Sequence, residues 1–214
     1  FEKAVRQRLA ETYYHPLSTW CANHGVALTG HPAESDDIGV LRYFQIPGQD
    51  QVLRWVAPEE EKGLVGRHST LAKCSADAAR HAGKRRNVVE CFGACSRPGS
   101  GWNLTGDDLK WMMDWLFVRG VNELIPHAFY YSIRGPRRSG ERPPDVGPNN
   151  IWWPDYAAPV QYMKRLSWLM TDSVNVTPVA VLTEANRLPW AMVKPLYQRQ
   201  IEFNYLEEDL LLSG

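Results

Sequence analysis

An α/β fold on a parallel sheet is what this sequence predicts, and three observations predict it. Short apolar and β-branched runs, Val26-Ala27-Leu28-Thr29, Val88-Val89 and Val179-Ala180-Val181-Leu182, read as strands buried on both faces. Between them lie helix-length amphipathic stretches, several closed by a glycine, at Gly25, Gly83 and Gly120. Polar or proline-rich loops follow the strands, the βα alternation that a parallel sheet requires.

The elements follow in order. Residues 1 to 24 read as a helix, with Val5, Leu9, Tyr13, Leu17 and Trp20 at three- and four-residue steps and Pro16 as a kink. Val26 to Thr29 is a short strand, and residues 30 to 37 form a polar loop beyond its end. Residues 38 to 44 predict a helix, residues 46 to 53 a turn entering a short strand or extended segment, and the Glu59-Glu60-Glu61-Lys62-Gly63 region a solvated loop. A helix over 69 to 82 turns Leu71, Cys74, Ala78 and Ala79 inward, and Asn87 to Cys91 is the next strand. Thr105 caps a helix whose Asp107 and Asp108 suit its positive end and whose Leu109, Met112, Met113, Leu116 and Phe117 form the buried stripe. Val121 to Ser132 is a strand running into a loop. The segment from 134 to 156, dense in proline and glycine and carrying Arg134, Arg137, Arg138, Arg142 and Trp152-Trp153, is a long irregular loop of the kind that serves a site. A helix over 157 to 171, a strand at 179 to 182, a helix through Tyr197 and Ile201, and a final helix or strand from Leu206 complete the chain.

Composition narrows the function. With 214 residues the chain can bury a sizeable core. Lys and Arg number 24, as do Asp and Glu, so no net field invites nucleic acid. No run approaches the ~20 apolar residues of a membrane span, and no secretory leader pattern opens the chain. Phe1 begins in mid-pattern, which predicts an upstream part; the compartment, extracytoplasmic or cytoplasmic, is not assigned. Nine Trp and nine Tyr suit either a large core or flat platforms for sugar rings. Cys21, Cys74, Cys91 and Cys95 are expected as free thiols, since Cys91 and Cys95 lack a second ligand pair for zinc. Asn103-Leu-Thr105 and Asn175-Val-Thr177 match the glycosylation acceptor pattern, which is short enough to arise by chance. A phosphate-cradling glycine loop is missing, and no cofactor or metal is expected.

Glu90 is the residue that carries chemistry. A carboxylate between Val88-Val89 and Cys91-Phe92 is expensive to bury without a partner or a purpose, and it stands where a strand leaves its sheet. Breaking a glycosidic bond takes two carboxyl groups across the anomeric carbon, and Glu90 is read as one of them, the bland alternative being a salt-bridged structural Glu. Glu34 is the candidate for the other. His31, His127, Tyr130 and Tyr131 stand at strand ends on the same side, positioned to bond sugar hydroxyls, and Trp102 and Trp152 are candidate sugar platforms; any of these rings can equally be packing. Two alternatives stay open: a non-catalytic carbohydrate-binding protein, and a metal-dependent hydrolase using His31, Glu34, Glu90 and His127.

The series Glu90-Cys-Phe-Gly-Ala, Gly101-Trp102-Asn-Leu-Thr, Lys110-Trp-Met-Met-Asp-Trp115, Arg119-Gly-Val-Asn122 and Pro126-His-Ala-Phe-Tyr-Tyr-Ser132 resembles the late strands of (β/α)8 TIM-barrel glycoside hydrolases. The likeness is to large bacterial multidomain enzymes of the α-L-rhamnosidase and β-galactosidase-like groups. Leu17 to Gly25, Leu28-Thr-Gly-His31, Trp153-Pro154, Tyr162 and Arg165-Leu-Ser167 extend it over residues 10 to 182. The resemblance implies a partial barrel of late βα units over 1–172, followed over 173–214 by the start of a flavodoxin-like α/β domain. It implies that Glu90 is the nucleophile of a retaining enzyme or the base of an inverting one, acting on a carbohydrate. The acid is then either Glu34 or outside this sequence. Only about four βα units can be counted where a closed barrel needs eight. The isolated chain is therefore expected to need the rest of the barrel or to self-associate, and to be inactive alone.

Overall fold

The computed structural model describes residues 1–32, 34, 36–93, 102–140 and 145–213. Cys95, Arg142 and the glycine-rich turn before Trp102 lie outside the described residues. The chain opens with α1 (Glu2–Leu9), a π-helical turn over Ala10–Tyr14, and α2 (His15–Asn23). Pro16 is the second residue of α2 and follows directly on the π-helical turn, with helical backbone on both sides of it. The apolar stripe that predicts this helix is not its buried face: Val5, Leu9, Tyr13 and Trp20 are exposed, while Tyr14 and Cys21 are buried. No residue of α1 is buried at all, so the stripe is already exposed ahead of the π turn, and the buried positions Tyr14 and Cys21 lie within and beyond it.

The two-residue strand β1 (Thr29–Gly30) follows, and a 3-10 turn over Val40–Tyr43 stands where a helix was expected. Next, β2 (Ile46–Gln51) is a full strand and not a turn leading into one. Gly48 explains why so unpromising a sequence is used there. A Cβ at that position would lie 2.4 Å from the Gly30 carbonyl oxygen and 2.8 Å from Val88 Cγ1, so only glycine lets the neighbouring strands close on β2. The short α3 (Leu53–Val56) leads to α4 (Leu71–His81), buried from Leu71 through Ala79. Then come β3 (Val88–Cys91), α5 (Gly106–Phe117), β4 (Glu123–Pro126), the short α6 (Arg137–Gly140) inside the long loop, and α7 (Ala157–Thr171). Thr105 caps α5 as predicted, in a reciprocal box with Asp108. The chain ends with β5 (Ala180–Thr183), α8 (Trp190–Gln198), β6 (Asn204–Glu207) and α9 (Glu208–Ser213).

Strands β1 to β4 form one parallel sheet in sequential order, and β5 pairs β6 in a second parallel sheet. The protein is thus α/β with parallel sheets. One core joins β3, α4, α5 and α7 through Val89, Cys91, Ala72, Leu109, Met112, Leu116 and Met163. A second core joins α4 to the β5–β6 sheet through Cys74, Ala78, Val181, Phe203 and Tyr205, with Tyr14 and Leu41 also contributing.

Helix α4 is therefore sandwiched between two sheets, and its polar residues pin it to β6. Asp77 accepts from the Tyr205 backbone N–H at 2.7 Å and from Arg80 Nη1 at 2.7 Å; Lys73 Nζ reaches Asp77 Oδ1 at 3.4 Å and Glu202 Oε1 at 2.9 Å. Burial holds the Asp77 carboxyl above its ordinary range in spite of these partners. Arg119 is buried between the rings of Trp115 and Tyr197 and donates to the Gly63 carbonyl at 2.8 Å. Entry to β3 and β4 is latched by side chains: Asn87 Nδ2 donates to the Gly120 carbonyl and Asn122 Oδ1 accepts from the Asn87 N–H. Cys21, Cys74 and Cys91 are buried, and Cys21 and Cys74 are free thiols. No helix among the described residues is long and apolar enough to cross a membrane.

Candidate active site

Strand register sets the site. Glu90 pairs across the sheet with Asp50 of β2 and Ile125 of β4, so the three stand at one level. Side chains alternate along a strand. Gln49 reaches Cys74 of α4, Nε2 to Sγ at 3.5 Å, so Asp50 points to the other face. Val89 and Cys91 enter the core with α4 and α5, so Glu90 points away from the helices as well. Both carboxylates stand on the face opposite α4 and α5, near the C-terminal ends of their strands.

Two imidazoles flank Glu90. His31, just past β1, places Nε2 at 3.8 Å from Glu90 Oε2; His127, just past β4, places Nε2 at 4.0 Å from Glu90 Oε1. His31 Nδ1 lies 3.2 Å from the Pro32 carbonyl, which fixes the ring with Nε2 toward the acids. His31, Asp50 and Glu90 each offer one ligand atom within 4.8 Å of the others, and these are the residues that can hold a cation.

The backbone around β3 shapes this group. Phe92 adopts φ 72°, an uncommon left-handed conformation for a bulky residue, and turns the chain off the strand two residues beyond Glu90. The His127 N–H donates to the Cys91 carbonyl at 2.7 Å, carrying β4 pairing one residue further. A Cβ at Gly93 would lie 3.0 Å from His127 Cγ, so the imidazole rests against the bare glycine. His127 meets Tyr130 edge to face with centroids 6.1 Å apart.

Of the residues singled out in the sequence, the structure brings together Glu90, His31, His127 and Tyr130. Glu34 is held elsewhere, its exposed carboxylate 3.1 Å from Arg67 Nη2. Tyr131 is fully exposed. Trp102 donates Nε1 to the Arg138 carbonyl at 2.8 Å. Trp152 donates to the Leu104 carbonyl, packs partly buried against the first core and stacks on Tyr156 at 5.4 Å, so one of its faces is already taken. Burial pushes the Tyr156 phenol up to about 12.

Two residues escape the sequence reading. Asp50 lies in a strand masked by its own polarity. Asp145, fully buried, accepts from the N–H groups of Tyr130, Gly147 and Asn149 and so anchors the loop that carries Tyr130. The spacing Asp145-x-Gly147-x-Asn149 is the signal of such an Asx turn.

No family model matches this sequence, and no curated protein matches it. Among solved structures, the fold is similar to that of a rhamnosidase from Novosphingobium sp. PP1Y, with a TM-score of 0.67 and 19% sequence identity. The alignment covers 95% of this chain and 20% of that one, so the chain spans about a fifth of that protein's length. At this identity the likeness is one of fold: an α/β arrangement with parallel sheets that it shares with a rhamnosidase.

Proposed function

We propose that this chain forms late βα units of a (β/α)8 glycoside-hydrolase barrel over residues 1–172, with the start of a flavodoxin-like domain over 173–214, and that Glu90 is its catalytic nucleophile or base. The observation that carries the reading is the convergence of Glu90, Asp50, His31 and His127 from consecutive parallel strands onto the face opposite α4 and α5, at the strand ends where barrel enzymes place their chemistry. The fold shared with a rhamnosidase makes an α-L-rhamnoside the first substrate to try.

Catalysis needs a proton donor facing Glu90 across the sugar. Asp50 stands beside Glu90 on the adjacent strand, on the same wall, and Glu34 is paired with Arg67. The donor therefore comes from outside these residues, with the strands that would pair with the edges of β1 and β4 left unpaired among the described residues. Ile125, half exposed on β4, is the apolar residue such a neighbour would bury.

The test separates the two carboxyl roles. A 2,4-dinitrophenyl α-L-rhamnopyranoside has a leaving group that departs without a proton, so a chain inactive on ordinary glycosides for want of a donor should still turn it over, while an unactivated rhamnoside stays intact. Cleavage of the unactivated glycoside at a comparable rate would sink the missing-donor argument and promote Glu34. A second reading, a metal-dependent hydrolase, is favoured by the His31 ring geometry and by the 4.8 Å grouping of His31, Asp50 and Glu90. It predicts activity that disappears in EDTA and returns with a divalent cation.

A further inference from the structure

We infer that Asp50 is a specificity-determining carboxylate of this site, gripping, together with Glu90, two neighbouring hydroxyl groups of a sugar ring. The inference rests on the glycoside reading above and extends it to a residue that the reading does not use. Asp50 and Glu90 are paired in register on adjacent parallel strands, both half-buried, with carboxylate oxygens within 4.8 Å. Among the described residues, His31 and His127 face Glu90, whereas no hydrogen bond or ion pair engages the Asp50 carboxylate.

A half-buried carboxylate short of donors has lost part of its hydration without replacement, and a ligand that brings O–H groups restores it. Each O–H donates to a carboxylate oxygen at about 2.7 Å. Neighbouring hydroxyls on a pyranose ring point outward, so two carboxylates side by side on paired strands, with oxygens within 4.8 Å, can receive one each. The spacing is fixed by strand pairing and not by loop conformation, which is what a site that reads a hydroxyl pattern requires. Gly48, on the same face two residues before Asp50, contributes by letting Gly30 approach, which brings His31 to the rim of the pair. A sugar lacking one of the two hydroxyls leaves a charged acceptor desolvated and unpaired, the strongest form of discrimination a polar site can make.

The experiment is calorimetric binding of methyl α-L-rhamnopyranoside and its 2-deoxy and 3-deoxy analogues, in EDTA, to the wild-type protein and to Asp50→Asn. The wild type should bind the parent sugar at least tenfold more tightly than one of the analogues, and in Asp50→Asn that ratio should collapse to near one. Because the ratio is internal to each protein, partial destabilisation does not imitate the result; if Asp50→Asn fails to fold, Asp50→Glu, which moves the oxygens out by one methylene, carries the same comparison. An unchanged ratio in the variant overturns the inference and leaves the glycoside reading standing. Parent binding that is lost in EDTA and restored by calcium also overturns it, assigning the carboxylates to a cation. If the wild type binds none of these sugars with or without calcium, the inference and the rhamnoside reading fall together.

Discussion

Asp77→Ala tests how the two sheets are joined. Asp77 is fully buried on α4, and its carboxylate accepts from Arg80 at 2.7 Å, from Lys73 at 3.4 Å and from the backbone N–H of Tyr205 at 2.7 Å. Truncation removes the acceptor of all three hydrogen bonds at once. Lys73, itself fully buried, keeps Glu202 at 2.9 Å, Asn204 at 3.5 Å and the face of the Phe203 ring at 4.9 Å, and the Tyr205 N–H is orphaned in β6. Breaking a buried charge pair costs about 3–5 kcal/mol, and an orphaned buried N–H about 1–3. The two overlap because Lys73 retains Glu202, so a loss of about 4 kcal/mol is expected. Asp77→Asn keeps an oxygen for the Tyr205 N–H and gives up a charge that burial already disfavours, so its loss should be nearer 2 kcal/mol. Urea unfolding at pH 7 with equal m-values measures both. A loss below about 1 kcal/mol in Asp77→Ala, or a larger loss in Asn than in Ala, would refute the pinning of α4 to β6.

Other outcomes are equally specific. Gly93→Ala should push the His127 ring off its seat, lowering stability by about 1–2 kcal/mol and shifting the His127 imidazole resonances, which stay unmoved if the 3.0 Å approach is not a real constraint. Thr105→Ala removes the cap on α5 and should cost about 1 kcal/mol by urea unfolding; no change would mean that Asp108 caps alone. Glu207, buried against Gly39, has its carboxyl raised by burial, which means its proton is held longer in the folded state than in the unfolded one. Its contribution is fullest below the unfolded value and falls as pH rises toward the folded one. The stability gap between Glu207→Gln and wild type should accordingly widen in favour of the variant as pH is raised from about 4 to 7, and a gap that narrows contradicts the sign.

Much of the fold was legible because several elements advertise themselves locally. The cap and apolar stripe of α5 and the residues of α7 needed no tertiary information. What failed did so where tertiary contacts override local pattern. β2 reads as a turn through Pro47, Gly48, Gln49, Asp50 and Gln51, yet it is an inner strand, because its glycine admits a neighbouring backbone and its polar residues face a helix on one side and the candidate site on the other. Missing that strand also hid Asp50. Glu90, His31 and His127 were visible because a charged or ring-nitrogen residue at an apolar strand's end is conspicuous. Glu34 looked equally acidic, but sequence cannot show that Arg67, 33 residues away, holds it. The first helix is legible and its buried face is not, since Val5 and Leu9 recur at helical spacing in a helix that buries no residue, and the π turn after them leaves no trace in residue spacing.

The most direct measurement is the turnover of 2,4-dinitrophenyl α-L-rhamnopyranoside by wild type and by Glu90→Gln, with thermal unfolding recorded on both. If Glu90 is the nucleophile or base, the variant should keep its melting temperature within a few degrees and lose activity by a factor on the order of 10³ or more. Equal turnover in the two proteins would contradict a catalytic Glu90 and reduce it to a partner of His31 and His127.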